Sequence, residues 1–364
     1  NTLLMKILAI ETSCDDTCAA VLDNDWVLSN IISSQTDLHA KWGGVVPDIA
    51  KRAHSERIEP VIAEAILRSG ILGSNKGKLK KEKIEEIILQ GMKKIEVIGV
   101  TQGSGLAIAL GIGVNKAKEL AKKYSKKLVA VNHIEGHILS NLVKNKNGNP
   151  QRELKLPALA MTASGGHTKL IWIEKIGKYK VVGETLDDAA GEALDKASKM
   201  LGLGYPGGPV VERLAKTGKT DFIKLPQPLA DKKILDYSFS GLKTSFYYKI
   251  KDWPAEQIGT NLNNLAASFQ NAVFETLLRK FRLAAEKYQP RMLLVSGGVM
   301  ANLDLRKRLR KMAKELDLPI LMPTQKNLNT DNAAMIGVAA YHKALRGEFV
   351  EDIDKLDRDP RMEI

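Results

Sequence analysis

The chain has 364 residues, of which 44% are hydrophobic and 27% charged, and its formal net charge is +13. This composition is typical of a globular protein with about two domains, and it excludes disordered and fibrous chains. The apolar stretches are strand-sized, far shorter than the roughly 20 residues of a membrane-spanning helix. The two cysteines are too few for a disulfide framework and favour a reducing compartment.

The N-terminus and the net charge give weaker indications of location and partners. Only Asn1 to Leu4 precede the first predicted strand, too few residues for a targeting sequence. We therefore expect a cytoplasmic protein with no membrane association, although a processed organellar form would keep no trace of its presequence. The excess of positive charge points weakly to a nucleic acid, because lysines often serve only to solvate a surface.

The predicted elements occur in two similar series. The chain begins with three strands joined by polar turns, over Lys6–Ile10, Cys18–Leu22 and Trp26–Ile32. Hydrophobic periodicity then predicts a helix over about 53–67, a strand over 97–100, a helix over about 106–122 and a strand over 128–131. The second series begins with strands over 156–161, 169–173 and 179–182. It continues with helices near 192–201 and 264–288, a strand over 292–295, a helix over 301–315, a strand at 320–321 and a last helix over 331–345.

Three meandering strands followed by strand–helix crossovers, present twice, predict a duplicated α/β fold. This pattern is typical of the actin-like superfamily (the ASKHA proteins, with ribonuclease-H-like lobes), which has two lobes and an interlobe nucleotide cleft. The polar linker Lys144–Lys155 marks the boundary between the lobes. We expect a first lobe over 1–150, a second lobe over 151–328, and a C-terminal helix within 329–364 that returns to the first lobe.

The segment Gly73–Lys94 does not fit the repeat. It contains seven lysines and the apolar series Ile84, Ile87, Ile88 and Met92, which has the spacing of one helical face. We therefore expect a basic insertion that forms a surface-docked helix after a loop. A surface decoration is the favoured interpretation, and a contact with RNA or a partner protein is the alternative.

A pair of histidines gives the strongest local signal. His133 and His137 follow directly after the strand that ends at Val131. On a helix, residues i and i+4 lie about 40° apart on one face, so both imidazoles can reach one metal ion. Glu135 lies about 200° around the helix from His133 and points away from that ion, unlike the glutamate of an HExxH zinc protease. A surface or capping role is the alternative, but clefts form at the carboxyl ends of strands in α/β folds.

Acidic residues supply the candidates for the remaining chemistry. A metal ion needs a third ligand, and Asp331 is the best candidate because it opens the last predicted helix after a strand. A helix N-cap or first-turn acid explains Asp331 equally well. Asp15 and Asp16 lie in the first turn between strands, where they either face a catalytic site or simply fill the turn.

Three glycine pairs in the second half lie at the ends of predicted strands or helices: Gly165–Gly166, Gly207–Gly208 and Gly297–Gly298. Paired glycines let a backbone approach a ligand closely, and amides at a helix start favour phosphate. Tight turns use the same residues, but three such pairs favour a nucleotide site. The acids Glu192, Asp195 and Glu212 suit ribose hydroxyls, and a salt bridge is an equally good interpretation of Glu192.

At these residues the sequence resembles the TsaD family of bacterial-type tRNA threonylcarbamoyladenosine synthesis enzymes, formerly described as O-sialoglycoprotein endopeptidases. The resemblance extends over nearly the whole chain, and the order and combination of its motifs are highly specific. The motifs are Ile10–Thr17, Gly43–Pro47, Arg52–His54, His133–His137, Ser164–Thr168, Gly191–Lys196, Tyr205–Pro209, Ser238–Thr244, Ser296–Val299 with Asn302, and Asp331–Ile336. The chain departs from the family at Ser104, where proline is usual, and in the basic segment 73–94.

The resemblance implies an actin-like fold and a tRNA adenosine threonylcarbamoyltransferase. Such an enzyme transfers the threonylcarbamoyl group of threonylcarbamoyl-AMP to the exocyclic amine of the adenosine 3′ of the anticodon in tRNAs that read ANN codons. By position, the resemblance implies that His133, His137 and Asp331 hold iron or zinc and that Asp15 is the catalytic acid. It implies that the adenylate, or ATP or ADP in its place, is bound by Thr162, Ala163, Ser164, Gly165, Gly166, Asp195, Gly208, Glu212 and Asn302. The implied protein partners are a paralogous TsaB-like subunit and a TsaE-like ATPase.

Other functions share parts of this pattern. An actin-like small-molecule kinase or an ATP-binding scaffold would share the duplicated fold, but it would use Mg²⁺-ATP and would not need His133 and His137. A metalloprotease is disfavoured by the position of Glu135. If tRNA is the substrate, we expect phosphate contacts from the basic stretches 116–127 and 306–314.

Overall fold

The computed structural model describes residues 5–73, 77–230 and 233–364. These residues divide into two compact units. The first unit comprises the chain up to His39 together with Val45–Leu154 and Pro323–Ile364, and the second comprises Ala40–Gly44 and Lys155–Met322. None of the helices in the three described ranges combines the length and the hydropathy that a bilayer span requires.

The first unit is built on a mixed sheet. Its strands are β1 (Lys6–Glu11), β2 (Asp16–Asp23), β3 (Trp26–Ser34), β4 (Val97–Gly103), β5 (Lys127–Asn132) and β6 (Lys144–Asn145). The helices between them are α1 (Thr36–Ala40), α2 (Pro47–Ser69), α3 (Ile84–Met92), α4 (Ala107–Lys123) and α5 (His133–Leu139). The strand order is β5-β4-β1-β2-β3-β6.

The second unit contains a similar sheet. Its strands are β7 (Ala158–Ala163), β8 (Thr168–Lys175), β9 (Lys178–Glu184), β10 (Met292–Ser296) and β11 (Ile320–Leu321). Its helices are α6 (Ala190–Met200), α7 (Gly207–Ala215), α8 (Ser240–Ile250), α9 (Ala255–Thr260), α10 (Leu262–Tyr288) and α11 (Leu303–Glu315). The strand order is β11-β10-β7-β8-β9.

The two sheets share one topology apart from β6, which pairs in parallel with β3 in the first sheet. In each, three consecutive strands form an antiparallel meander, and two later strands are added in parallel beside the first strand of the meander. The first strands, β1 and β7, are buried along almost their whole length, which is typical of sheets with helices on both faces and explains their unbroken apolar sequences. The duplicated α/β fold that the sequence predicts is therefore confirmed.

The last helix, α12 (Ala333–Leu345), packs against the sheet of the first unit. A Cβ atom on Gly99 of β4 would lie 2.6 Å from Cβ of Ala340, and one on Gly337 would lie 2.2 Å from a methyl carbon of Leu22. Both distances are much shorter than a van der Waals contact, so glycine at each position lets the helix approach the strands. This close packing fixes the start of α12, which Asp331 precedes by two residues.

Several helix boundaries differ from the predicted ones. α2 begins at Pro47 rather than near residue 53, because the fixed φ of proline suits the first turn of a helix. α11 begins at Leu303, after a 3₁₀ turn over Gly298–Ala301, and α12 begins at Ala333. The helices α8 and α9 were not predicted, although α8 carries a period-four series of buried residues, Leu242, Phe246 and Ile250.

The apolar series in the segment 73–94 forms the docked helix that its periodicity predicts. Ile88 and Met92 of α3 are buried. Gly91 of α3 lies against α2, where a Cβ would come within 2.5 Å of the Ile66 side chain. Residues 74–76 of this segment, which include Lys76, lie outside the described residues.

Candidate metal centre and glycine-rich loops

The helix α5 begins directly where β5 ends. Asn132 is its N-cap, and the side-chain oxygen of Asn132 accepts hydrogen bonds from the backbone amides of Ile134 (2.8 Å) and Glu135 (3.2 Å). An N-cap of this type satisfies amides that have no partner within the helix. It places His133 at the first helical position and His137 one turn later, so the two imidazoles project from one face.

The two histidines and Asp331 form a compact cluster in the first unit. The ring centroids of His133 and His137 lie 4.6 Å apart with an interplanar angle of 81°. Oδ1 of Asp331 lies 3.6 Å from Nε2 of His133 and 3.2 Å from Nε2 of His137. All three ligand atoms lie within 4.8 Å of one another. The structure therefore brings together the three residues that were the sequence-based candidates.

The cluster fits a divalent cation. Ligand atoms about 2.1 Å from a tetrahedral ion are about 3.4 Å apart, close to the separations of the Asp331 oxygen from the two imidazoles. Neither ring nitrogen of the fully buried His137 has a partner in hydrogen-bond geometry among the described residues, although Nε2 lies 3.2 Å from Oδ1 of Asp331. Two imidazoles and a carboxylate are ligands that Zn²⁺ and Fe²⁺ accept. A ring nitrogen buried without a partner is costly, and a bound cation would satisfy it.

Asp331 is not the N-cap of α12. That role belongs to Asn332, whose side-chain oxygen accepts from the amide of Met335 (3.1 Å) and whose side-chain NH₂ donates to the carbonyl of Thr330 (2.8 Å). The interpretation of Asp331 as a capping residue is therefore wrong. The Asp331 carboxylate instead faces the two imidazoles. It can do so without capping the helix.

A second layer of polar groups contacts the outer nitrogen of His133. Nδ1 of His133 lies 3.2 Å from Oε2 of Glu11 and 3.1 Å from the hydroxyl of Ser13. Glu11 is completely buried, accepts a hydrogen bond from Thr101 (2.5 Å) and is also hydrogen-bonded by the backbone amide of Ser13. Carboxylates in this position orient metal-binding imidazoles.

Sequence reasoning missed Glu11 as a functional residue. It is the last residue of the apolar strand β1, and an acid at the buried end of such a strand was the available signal. A buried carboxylate needs charged or hydrogen-bonding partners, and these come from residues distant in sequence, His133 and Thr101.

The two imidazoles differ in protonation. Burial disfavours the charged form of His133, but the carboxylates of Asp331 and Glu11 outweigh it and raise the pKa of His133 to about 9. Burial lowers the pKa of His137, and the neighbouring His133 adds to this effect. Near neutral pH the metal-free cluster therefore holds one imidazolium, His133, and one neutral imidazole, His137.

The acids of the first turn lie close to this cluster. Burial raises the pKa of Asp15, and the charge of Asp331 raises it further. Burial also raises the pKa of Asp16 to about 7, with Asp15 and Asp331 adding to the effect. Oδ1 of Asp16 is buried and lacks a hydrogen-bond partner among the described residues. The two carboxyls therefore lie in a poorly solvated environment rather than in an ordinary exposed turn.

His54 of α2 holds the same turn in place. Its Nε2 lies 2.9 Å from the carbonyl oxygen of Cys14, and its Nδ1 lies 2.8 Å from the hydroxyl of Thr17. Since a carbonyl only accepts, Nε2 donates and Nδ1 accepts from the hydroxyl. Burial lowers the pKa of His54, which agrees with this neutral form.

The glutamate of the histidine motif points away from the cluster. Oε1 of Glu135 lies 3.8 Å from a guanidinium nitrogen of Arg346. Glu135 is not among the three residues whose ligand atoms converge. The geometry therefore lacks the general base of an HExxH protease, as expected from the sequence.

In the second unit, the glycine-rich loops converge at the carboxyl ends of β7 and β10. A Cβ on Gly297 would lie 2.3 Å from the carbonyl oxygen of Ala163, and the amide of Gly191 donates to the carbonyl of Ser164 (3.1 Å). In contrast, Cβ atoms on Gly165, Gly166, Gly208 and Gly298 would meet nothing within 4 Å. The loops thus pack on one another while open space remains beside four of their glycines, as a ligand-binding surface requires.

The polar residues predicted to bind the adenylate connect these loops. Oδ1 of Asp195 accepts from the amides of Gly207 (2.7 Å) and Gly208 (3.2 Å). Glu212 accepts from the amide of Leu303 (2.9 Å). The hydroxyl of Thr162 lies 3.2 Å from that of Ser296. These contacts bring the candidates into one region of the second unit.

Two other acidic or amide candidates have structural contacts of their own. The side-chain oxygen of Asn302 caps α11 by accepting from the amides of Asp304 and Leu305, and its NH₂ donates to Gln270 (2.9 Å). Glu192 forms an ion pair with Lys196 (2.8 Å), which is the structural alternative considered for this residue.

The chain is similar to known proteins over most of its length. The model of the family described as "TsaD: tRNA N6-adenosine threonylcarbamoyltransferase" matches residues 26–75 and 80–338. Proteins named tRNA N6-adenosine threonylcarbamoyltransferase from Moorella thermoacetica and Trichlorobacter lovleyi are 42% and 43% identical to this chain. These alignments cover 94% and 92% of this chain and 93% and 90% of the relatives.

Similar solved structures support the fold. HypF of T. kodakarensis has a TM-score of 0.58 at 14% identity, and full-length HypF in a phosphate- and nucleotide-bound form has 0.55 at 12%. The matches cover 95% and 94% of this chain but only 48% and 46% of the HypF chains. They support the actin-like fold class predicted from the duplicated strand pattern.

Proposed function

The chain belongs to the TsaD family of tRNA N6-adenosine threonylcarbamoyltransferases, and we propose that it transfers a threonylcarbamoyl group from threonylcarbamoyl-AMP to the exocyclic amine of an adenosine in tRNA. The acceptor would be the adenosine 3′ of the anticodon in tRNAs that read ANN codons. The family match over most of the chain supports the transferase class. The observation that carries the proposal is the convergence of His133, His137 and Asp331.

We assign the adenylate to the glycine-rich loops of the second unit. A Cβ on Gly165, Gly166 or Gly208 would meet no atom within 4 Å, so a ligand can approach this backbone closely, and backbone amides suit phosphate oxygens. Asp195 accepts hydrogen bonds from the amides of Gly207 and Gly208, so this carboxylate would hold the loop in its conformation beside the adenylate. ATP or ADP would use the same groups.

We propose that the cluster of His133, His137 and Asp331 takes part in the transfer. His133, His137 and Asp331 would hold one iron or zinc ion, which when bound supplies Lewis acidity towards a carbonyl oxygen and a site that orients oxygen ligands. Glu11 and Ser13 keep the His133 ring in place through its Nδ1 atom. These groups act by positioning, which suits a donor that is already an activated anhydride.

Asp15 is the proposed proton acceptor. In the transfer, the adenosine nitrogen forms a bond to the carbamoyl carbon, the bond from that carbon to the phosphate oxygen breaks, and AMP leaves. The amine loses one proton, which the Asp15 carboxylate would accept. Burial raises the pKa of Asp15, and a base works best when its pKa approaches the operating pH.

The remaining assignments follow from the resemblance to the family. We propose that a paralogous TsaB-like subunit and a TsaE-like ATPase assist the reaction, and that it takes place in the cytoplasm. The two cysteines, Cys14 and Cys18, are free thiols, which agrees with a reducing compartment.

Mass spectrometry of tRNA nucleosides tests the proposal. Unmodified tRNA is incubated with threonine, bicarbonate, ATP, an adenylate-forming enzyme and this chain, with the two partner proteins included. We expect threonylcarbamoyladenosine to form with the wild-type chain and to be lost with His137→Ala. His342→Ala is the matched control, because this histidine lies in α12 outside the cluster. Product formation without the chain, or full activity of His137→Ala, would contradict the proposal.

A further inference from the structure

The helix α11 carries an exposed stripe of unpaired positive charge. Lys307, Arg310, Lys311 and Lys314 are exposed, and their spacing of three and four residues places them on one helical face. Among the described residues, none of these four side chains takes part in an ion pair. We call this set the α11 stripe.

The acids of the same helix do not neutralise the stripe. Asp304 pairs with Arg308 (2.9 Å), which also contacts Glu275 (3.0 Å). Glu315 pairs with Arg282 of α10. Arg308 thus pairs with one acid of α11, and Arg282 of α10 pairs with the other. The α11 stripe therefore faces solvent with its full charge.

The basic stretch 116–127 differs from the α11 stripe because several of its lysines form ion pairs. Lys116 pairs with Glu59 and Glu119, both at 2.7 Å. Lys122 pairs with Asp354, and Lys123 lies 3.8 Å from Glu85. Three of the six lysines of this stretch are therefore paired with acids of the same unit, whereas the α11 stripe has no such pair among the described residues, so the stretch has less unpaired charge to offer an external polyanion.

We propose that the α11 stripe is a surface that binds the phosphate backbone of tRNA. The inference rests on the proposed function, in which tRNA is the acceptor substrate, and adds the place of contact. Four cations over about 10 Å of helix match a run of negative phosphates in charge. Their long side chains contact a backbone without reading base edges, which suits an enzyme that acts on several tRNAs.

Binding measured as a function of salt tests this surface. The test variant combines Lys307→Gln, Arg310→Gln, Lys311→Gln and Lys314→Gln. The control variant combines Lys122→Gln, Lys123→Gln, Lys126→Gln and Lys127→Gln, which removes the same charge from the other basic stretch. The affinity of each full-length protein for unmodified tRNA is measured by fluorescence anisotropy between about 50 and 300 mM salt, and circular dichroism checks that each variant is folded.

The α11 stripe predicts a specific pattern. The test variant should bind tRNA on the order of 100-fold more weakly at about 100 mM salt, and the slope of log affinity against log salt should decrease by about 3, because each lost phosphate contact removes about 0.7–0.9. The control variant should change affinity less than about threefold. At saturating tRNA the transfer rate of the test variant should approach that of the wild type, which gives a raised KM with an unchanged kcat.

Three outcomes would overturn the inference. Equal losses in both variants would show that only net charge matters, and an unchanged salt slope in the test variant would show that the stripe does not contact phosphates. Normal tRNA binding with a loss of transfer only when the partner proteins are present would assign the stripe to a protein contact. Each of these results counts against the stripe alone, provided that the wild-type chain still forms threonylcarbamoyladenosine. Failure of the wild type to form it would instead contradict the proposed function.

Discussion

The carboxylate of Glu11 lies 3.2 Å from Nδ1 of His133, on the side of the imidazole ring opposite the nitrogen that faces Asp331. One strand end thus controls the orientation and the charge of a residue 122 positions later in the chain. The link is completed by Thr101 of β4, which donates to the same Glu11 oxygen. The metal-binding face of α5 is therefore tied to two neighbouring strands of the sheet.

Glu11→Gln should weaken metal binding. The amide keeps the shape of the side chain but loses the negative charge that favours the required tautomer of His133, and loss of such outer partners costs about 10–100-fold in metal affinity. Competition with a chromophoric chelator measures the affinity. Glu135→Gln is the control, because this buried acid lies on the same helix as the two histidines but faces Arg346. Equal affinities of wild type and Glu11→Gln would show that Glu11 does not support the site.

Metal binding should release about one proton near pH 7, because a ligand imidazole must be deprotonated. The pKa of His133 is raised to about 9 in the metal-free cluster, so its proton is present at pH 7 and leaves when the cation binds. Affinity should accordingly rise with pH up to about 9. Titration calorimetry in two buffers with different ionisation enthalpies measures the released protons. Identical apparent enthalpies in the two buffers would contradict the assignment.

Asp16→Asn should stabilise the metal-free protein above neutral pH. The folded pKa of about 7 lies above the ordinary value of 3.8, so the unfolded chain loses this proton first. The free energy of unfolding then falls as pH rises from about 4 to about 7, by up to about 1.4 kcal/mol per pH unit. The variant lacks this penalty, so its Tm advantage should be larger at pH 8 than at pH 5.

Thermal unfolding at both pH values, with a chelator present, measures the effect of Asp16→Asn. Asp221→Asn is the control, because Asp221 is exposed and lies in the second unit. A Tm difference that is the same at pH 5 and pH 8 would show that burial does not hold the proton on Asp16.

Gly337→Ala should destabilise the first unit. The new methyl group would lie 2.2 Å from a carbon of Leu22, and overpacking of this kind typically costs about 1–3 kcal/mol. Gly241→Ala of α8 is the matched control, since its Cβ would meet nothing within 4 Å and alanine favours a helix. Denaturant unfolding compares the two, and equal stability of Gly337→Ala and wild type would mean that α12 can shift away from the sheet.

The sequence predicts the fold well because its signals are local. Short apolar runs identify the strands of both meanders, and their repetition predicts two similar sheets. The spacing of His133 and His137 predicts one shared helical face. These inferences need only periodicity and neighbours within one element.

Long-range contacts explain what the sequence does not predict. Asp331 has the same local pattern as a capping residue, and only the position of Asn332 shows which of the two caps α12. The role of Glu11 depends on a partner 122 residues away. The difference between the two basic stretches depends on whether acids such as Glu59 and Asp354 fold back onto them.

Metal content tests the central claim most directly. The protein is purified without chelator, and iron and zinc are measured per chain by inductively coupled plasma mass spectrometry for the wild type and for Asp331→Ala. Because Asn332 caps α12, Asp331→Ala should keep its fold, as unfolding curves would show. The account predicts about one ion per wild-type chain and a strong loss in the variant. A folded Asp331→Ala protein with the same metal content as the wild type would contradict it.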